Sequence, residues 1–356
     1  MTVTSPCRGI IERYRERLGA EDLDRVITLG EGSTPLVPAP ALGAELDAEV
    51  FVKVEGANPT GSFKDRGMTM AVSRALAQGS RAVVCASTGN TSASAAAYAC
   101  RAGMTPVVLL PQGRIAAGKL AQAVVHGARV VQVLGNFDDC LTIARELAEN
   151  FPVSLVNSVN PDRIHGQMSA AFEVVDALGG APDIHALPVG NAGNITAYWK
   201  GYTQCVSEGS ADSGPRMFGF QAAGAAPLVL GHDVEDPETV ATAIRIGRPA
   251  SGQRALAARD ESGGLIESVT DDQIVDAQAW LAAHEGIFVE PASAAGVAGL
   301  RALASAGRLD PGQRIVVTVT GNGLKDIDTA LSRREMSSEA VEASTDAVAG
   351  LLGLHQ

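Results

Sequence analysis

The feature that most limits what this chain can fold into is a long alternation of short apolar runs with helical segments rich in small residues. Arg81 to Ala86 reads as a buried strand, Thr91 to Arg101 as a helix ended by Gly103, and Thr105 to Leu110 as the next strand. A helix near Ala117 to His126, a strand Arg129 to Leu134, a helix Asp138 to Asn150 and a strand Val153 to Asn157 continue the pattern, followed by a helix Ile164 to Leu178 and a strand Ile184 to Val189. Such repetition predicts an α/β fold: mostly parallel sheets with helices on both faces and right-handed crossovers. The second half keeps the rhythm less regularly. It offers a helix Ile195 to Val206, a strand Met217 to Gln221, helices near Glu238 to Ile246 and Arg254 to Glu261, and a strand Leu265 to Val269. A helix Asp272 to His284, a short strand Ile287 to Glu290, a helix Ala292 to Ala304 and a strand Arg314 to Thr320 follow. Ahead of the alternation, residues 10–20 suggest a short charged helix and Phe51 to Glu55 a strand; from Glu335 onward Val341, Val348, Leu351 and Leu352 suggest a packing or dimer helix.

With 356 residues the chain is long enough for two lobes, a single large sheet being the alternative. A hydrophobic fraction of 46% with only 4% aromatics and 39 glycines suits helices packed closely on a parallel sheet. A formal charge of -12 argues against nucleic acid or an anionic membrane as the main partner, so an anionic ligand must find local donors. The five cysteines are odd in number and lack metal-ligand spacing, which predicts reduced thiols and no metal centre. The start of the chain has no apolar signal region, no stretch is long enough to cross a bilayer, and a cytoplasmic protein is the expectation.

Four stretches carry chemistry. Asn58-Pro-Thr-Gly-Ser-Phe-Lys64-Asp-Arg66 presents one lysine at the head of a helix, with Ser62 placed to cap it. A lysine in a poorly solvated pocket loses its charge readily and attacks carbonyls. On its own such a lysine is more often a solvated surface charge. Ser87-Thr-Gly-Asn-Thr91 lies between a strand and a helix, where unpaired backbone N–H groups face an anion; Asn90 and Thr91 would equally serve as plain helix caps. Gly190-Asn-Ala-Gly-Asn194 again follows a strand and opens a helix, and its amides form a nest for phosphate without needing positive charge. Thr320, beside Gly321-Asn-Gly323, ends a strand on whose one face Val316, Thr318 and Thr320 alternate, and its hydroxyl suits a ring nitrogen. Jointly these meet the needs of pyridoxal phosphate: a Schiff-base lysine, a phosphate nest, an amide for the ring oxygen and a hydroxyl for the ring nitrogen.

In this order, with Gly30-Glu-Gly-Ser-Thr-Pro-Leu36 ahead and Asn157-Ser-Val-Asn-Pro-Asp-Arg163 between, the motifs resemble those of the threonine synthases, within the tryptophan-synthase-β-like (fold type II) pyridoxal phosphate enzymes. The resemblance covers about residues 28–330. It implies a two-lobed architecture, with a smaller mobile domain at 57–151 and a discontinuous larger cofactor-binding domain from 1–56 and 152–356. It implies that Lys64 holds the cofactor and moves protons, that Phe63 flanks the ring, that Asn90 bonds its phenolic oxygen and that Thr320 meets its nitrogen. Gly190, Asn191, Ala192, Gly193 and Asn194 would take the cofactor phosphate. Ser87, Thr88 and Thr91 would take the substrate carboxylate, and Asn157, Ser158 and Arg163 the substrate phosphate.

The reaction so implied turns O-phospho-L-homoserine and water into L-threonine and phosphate by γ-elimination and β-addition of water, in a homodimer. Serine or threonine dehydratases and cysteate synthase-like enzymes share the fold. Dehydratases tend to use a tetraglycine phosphate loop, from which Gly190 to Asn194 departs; the cysteate reaction shares Arg163 and most of the scaffold. A catalytically silent ligand-binding relative is the non-enzyme reading, and the intact Lys64 counts against it.

Overall fold

The computed structural model describes residues 9–113, 117–332 and 338–354, with the backbone alone at 117–119. It contains two sheets. The larger has six strands, β1 (Leu36–Pro38), β2 (Glu49–Val54), β7 (Ile184–Pro188), β8 (Arg216–Ala222), β9 (Leu265–Val269) and β10 (Arg314–Val319), in the order β1-β2-β10-β7-β8-β9. All its pairings are parallel except β1 with β2. The smaller is wholly parallel, with β3 (Ala82–Ala86), β4 (Thr105–Pro111), β5 (Arg129–Val133) and β6 (Val153–Leu155) in the order β5-β4-β3-β6.

Period-two alternation of apolar side chains explains why each sheet is covered on both faces. Val316, Leu187 and Val189 join the core under helices Pro161–Leu178 and Gly193–Ser207, whereas Ile315, Val317 and Ala186 join the core under Pro291–Ser305. In the smaller sheet Val83, Cys85 and Val108 face the helix Asn90–Ala102, and Val84, Ala86 and Leu109 face the helix Phe137–Asn150. Gly103 and Gly179 end their helices in the left-handed region (φ 75° and 71°), where a side chain would be strained.

Both sheets reverse their strand order once. In the smaller the reversal falls between β3 and β6; in the larger it falls between β7 and β10. Ligands of open parallel sheets lie outside the carboxyl ends of strands at such points. The loops at 87–89 and 156–160 leave the first, and those at 189–192 and 320–323 leave the second.

Several local expectations give way to tertiary contacts. Only Gly9–Arg13 is regular helix within residues 10–20; beyond it Arg15 donates to the carbonyls of Ala20 and Leu23, and Arg17 pairs with Glu208. Residues 238–246 form no α-helix but a short 3-10 turn, Thr242–Ile244, because the Asp271 carboxylate pins Thr239 and the Val240 N–H. Residues 287–290 reduce to a single bridge, Val289 to Asn322. Ser62 does not cap its helix, since its main chain pairs with Gly321 and its buried hydroxyl has no partner. The strand Val153–Leu155 pairs with Ala82–Val84, so the smaller sheet draws on the chain beyond 57–151.

Towards the end, Thr345–Leu351 is helical and solvent-exposed, with Val341 outside it and 335–337 outside the described residues. Cys85, Cys140 and Cys205 are buried free thiols and Cys100 an exposed one; Cys7 lies outside the described residues. Among the described residues no helix is long and apolar enough to cross a membrane.

Candidate active site

Lys64 is the first residue of the helix Lys64–Ala77, with Phe63 as its N-cap. The approach is stitched to the end of β10: the Phe63 N–H donates to the Thr320 carbonyl (3.0 Å), and the Asn322 N–H to the Gly61 carbonyl (2.9 Å). The Lys64 Nζ lies 4.3 Å from the Phe63 ring centroid. Lys64 is half-buried, but protein packs densely about its amine. Burial lowers the amine to about 7, the Arg163 guanidinium pushes the same way, and Glu290 opposes both. A neutral amine near physiological pH is what a carbonyl-binding lysine requires.

Thr320 is buried where β10 ends. Its hydroxyl lies 2.9 Å from that of Ser293, which also accepts from the N–H groups of Thr320 (3.0 Å) and Gly321 (2.8 Å). Asn90 opens the helix Asn90–Ala102 but does not cap it; the N-cap is Gly89, which has no side chain to make a capping bond. The Asn90 amide reaches instead across to the Glu290 carboxylate, at 3.0 and 3.1 Å. The same helix is tied to the lysine segment by Ser94, whose hydroxyl donates to Asp65 at 2.6 Å. Burial holds Asp65 up at about 6 even though Ser94 and Thr60 donate to it.

At the neighbouring strand end, Gly190 to Asn194 runs from β7 into the helix Gly193–Ser207. Ala192 adopts φ 64°, and the first helical bond is Thr196 N–H to the Ala192 carbonyl. The N–H groups of Gly193, Asn194 and Ile195 therefore have no intrahelical acceptor. A Cβ on Gly193 would meet nothing within 4 Å, whereas one on Gly190 would fall 2.9 Å from Ile244 Cα. The nest is thus open at one glycine and packed at the other. The Asn191 carbonyl accepts from Ser251, and the buried amide nitrogen of Asn194 has no partner.

Beyond β3, Ser87 and Thr88 form the turn and Thr91 lies on the first helical turn, all half-buried. Asn157 is engaged on both sides by the main chain of Ala86, donating to its carbonyl and accepting from its N–H at 3.0 Å each. It thereby latches the 156–160 loop, with half-buried Ser158, onto the end of β3. Arg163 is wholly buried, donates one bond to the Val156 carbonyl (3.2 Å), and leaves Nε and Nη2 without a partner. Desolvation lowers even this guanidinium, to about 10. A buried cation so poorly paired is costly unless an anion completes it.

Sequence reasoning passed over Glu290 and Ser293, and also a charged cluster beside the site. Arg66, in the first turn after Lys64, is held by Glu55 (2.7 and 2.8 Å) and Glu173 (2.9 and 2.7 Å), and Lys53 bonds Glu173 at 2.7 Å. Burial would raise Glu173 and Glu55, but the two cations hold both below the ordinary carboxylate value. The Glu-Pro-Ala-Ser run at 290–293 does carry a helix-start signal, an acidic residue ahead of proline, which marks the element but not its carboxylate's target.

These residues fit pyridoxal phosphate: a depressed amine, a hydroxyl at a strand end, and an open nest of free N–H groups. Residues 27–321 match the family profile described as pyridoxal-phosphate dependent enzyme. The threonine synthase of Mycobacterium leprae is 59% identical over 99% of this chain and 98% of its own length; that of Synechocystis sp. is 57% identical over 92% and 86%. The chain belongs to the threonine synthases. It is accordingly a pyridoxal phosphate-dependent lyase of fold type II. Among solved structures, threonine deaminase isoform 2 from Solanum lycopersicum superposes with a TM-score of 0.74 over 90% of this chain and 87% of its own, at 21% identity, a likeness of fold alone.

Proposed function

We propose that the enzyme converts O-phospho-L-homoserine and water to L-threonine and inorganic phosphate. When bound, pyridoxal phosphate supplies an electron sink for charge that develops at the substrate Cα. Lys64 would hold it covalently, Phe63 flank its ring, Asn90 donate to its phenolic oxygen, Thr320 face its nitrogen, and Gly190 to Asn194 cradle its phosphate. Ser87, Thr88 and Thr91 surround the place of the substrate carboxylate, where the start of helix Asn90–Ala102 offers N–H donors. Once free, the Lys64 amine is neutral above about pH 7 and takes the proton from Cα.

The observation that carries the choice of substrate is Arg163. Its two unpartnered guanidinium nitrogens, buried and electrostatically coupled to Lys64, call for a second anion beside the carboxylate, and phosphate matches their planar geometry. Ser158 stands on the same loop, and Asn157 serves by holding that loop to Ala86. The lobe of residues 57–151, carrying Asn90 and Ser94, closes over the substrate and excludes water until phosphate has left. We infer a cytoplasmic protein and a homodimer, the dimer supported by the exposed apolar residues Val348 and Leu351 on the last helix and Leu352 at its end.

The test is release of phosphate and threonine in equal amounts from O-phosphohomoserine, with Arg163→Leu beside the wild type. Loss of charge-assisted bonds predicts a fall of about a hundredfold or more in kcat/KM. The folded state should be no less stable, since the variant removes a poorly paired buried charge. Phosphate release unaffected by Arg163→Leu would refute the assignment.

A further inference from the structure

We propose that Glu290 is a positioning residue for the cofactor: by accepting from Asn90 it turns that amide so that the remaining N–H of Nδ2 faces the phenolic oxygen. The inference rests on the reading of Asn90 as the partner of that oxygen. An asparagine side chain can present either its carbonyl or its NH₂ group, and only the second can donate to a phenolate. The choice is made by the neighbour. Both Glu290 oxygens lie within hydrogen-bond distance of Asn90 Nδ2, at 3.0 and 3.1 Å, and an ionised carboxylate can only accept. One hydrogen of Nδ2 is thereby consumed, and the other is aimed away from Glu290.

The carboxylate is built into its place. Glu290 is 6% exposed, and its N–H donates to the Gly321 carbonyl at 3.1 Å. A Cβ on Gly321 would fall 2.4 Å from the carboxylate, so the side chain lies directly on the glycine that follows Thr320. Although Glu290 is the N-cap of the helix Pro291–Ser305, its side chain makes no capping bond there. The carboxylate is spent on a residue 200 positions away. Burial lifts the carboxyl above its ordinary value, and the Asn90 bond, Lys325 and Lys64 only partly oppose that shift. The bond also joins the helix that follows β3, in the smaller sheet, to the helix that packs on the larger one. The contact that directs the amide thus also helps to bridge the two halves, alongside the bond from Lys325 to Gln122.

Cofactor binding to the apoprotein tests this directly. Pyridoxal phosphate would be titrated into wild type, Glu290→Ala, Glu290→Gln, Asn90→Ala and the Glu290→Ala/Asn90→Ala double variant, following the absorbance of the lysine-bound cofactor, with urea midpoints checking the fold. Glu290→Ala should weaken binding by about tenfold and shift the absorbance band, as expected for losing one hydrogen bond to an ionised group. Glu290→Gln can still accept from Asn90 but can also donate to it, and should lose less than Glu290→Ala. The double variant should be no weaker than Asn90→Ala alone, because Glu290 acts through Asn90. The proposal is overturned if Glu290→Ala binds with wild-type affinity and spectrum, or if the two losses multiply in the double variant. It is equally overturned if Glu290→Gln loses as much as Asn90→Ala, a comparison that decides the matter should Glu290→Ala not fold. Failure of the wild type itself to bind, or a band that survives in Lys64→Ala, would instead sink the cofactor assignment beneath it.

Discussion

Replacing Arg66 by methionine should unfold the enzyme early and reverse the pH dependence of its stability. Arg66 is wholly buried two residues beyond Lys64, and it donates to Glu55, Glu173, Thr34 and Ser169 at 2.7–3.0 Å. With Lys53 the cluster is charge-balanced: two cations and two carboxylates. Methionine fills much of the volume but leaves one negative charge unmatched in the interior. Removing one partner of a buried ion pair costs about 3–5 kcal/mol, because the other charge remains desolvated. The sign of the pH effect follows from linkage. In the wild type the folded-state values of Glu173 and Glu55 lie below the ordinary 4.5, so their stabilisation is complete above that pH and is lost as pH falls through the depressed values. Between pH 5 and 8 this contribution is flat.

In Arg66→Met, burial is no longer outweighed, and a carboxyl rises above its unfolded value. The folded state then binds a proton that the unfolded state does not, and stability falls as pH rises from 5 to 8, by up to about 1.4 kcal/mol per unit for one proton. Urea titrations followed by tryptophan fluorescence would measure both effects, since Trp199 and Trp280, the chain's two tryptophans, sit on helices of the larger sheet. Adding Glu173→Gln removes the orphaned charge and should recover part of the loss. An Arg66→Met protein within 1 kcal/mol of wild type, or one more stable at pH 8 than at pH 5, would refute the reasoning.

Three further outcomes can be checked. The rate at which apoprotein captures pyridoxal phosphate should rise through about pH 7 and level off above it, because the Lys64 amine is neutral there; stopped-flow absorbance showing a midpoint near the ordinary lysine value would contradict that. Gly193→Ala should fold normally, since its Cβ meets nothing within 4 Å, yet weaken cofactor binding about tenfold or more by filling the phosphate seat; equilibrium dialysis giving wild-type affinity would place the phosphate elsewhere. Asn157→Ala leaves the buried Ala86 N–H and carbonyl unpaired and should cost about 1–3 kcal/mol in urea unfolding, with activity falling alongside as the Ser158 loop loosens.

Much of the architecture was legible along the chain, because period-two apolar runs and glycine-ended helices are local properties. Ala82–Ala86, Thr105–Pro111 and Arg314–Val319 stand where their β-branched residues predict strands. Lys64, Asn90, Gly190 and Thr320 could be singled out because each follows a strand or opens a helix, and position beside a parallel strand end is itself a sequence property. The antiparallel β1, the membership of Val153–Leu155 in the smaller sheet and the loss of helix at 238–246 were decided by pairing with distant residues.

The same holds for the side chains around Lys64. Glu290 meets Asn90 across 200 residues, and Arg66 meets Glu173 across 107, so no local pattern distinguishes these carboxylates from solvated ones. What the sequence alone determined was which residues stand at strand ends and helix starts. Which charges lose their water, which partners they then require, and hence that the Lys64 amine is held down to about 7 near an Arg163 with two unpartnered nitrogens, only the packing of one sheet against the other decided, because desolvation depends on everything that surrounds a group and not on its neighbours in the chain.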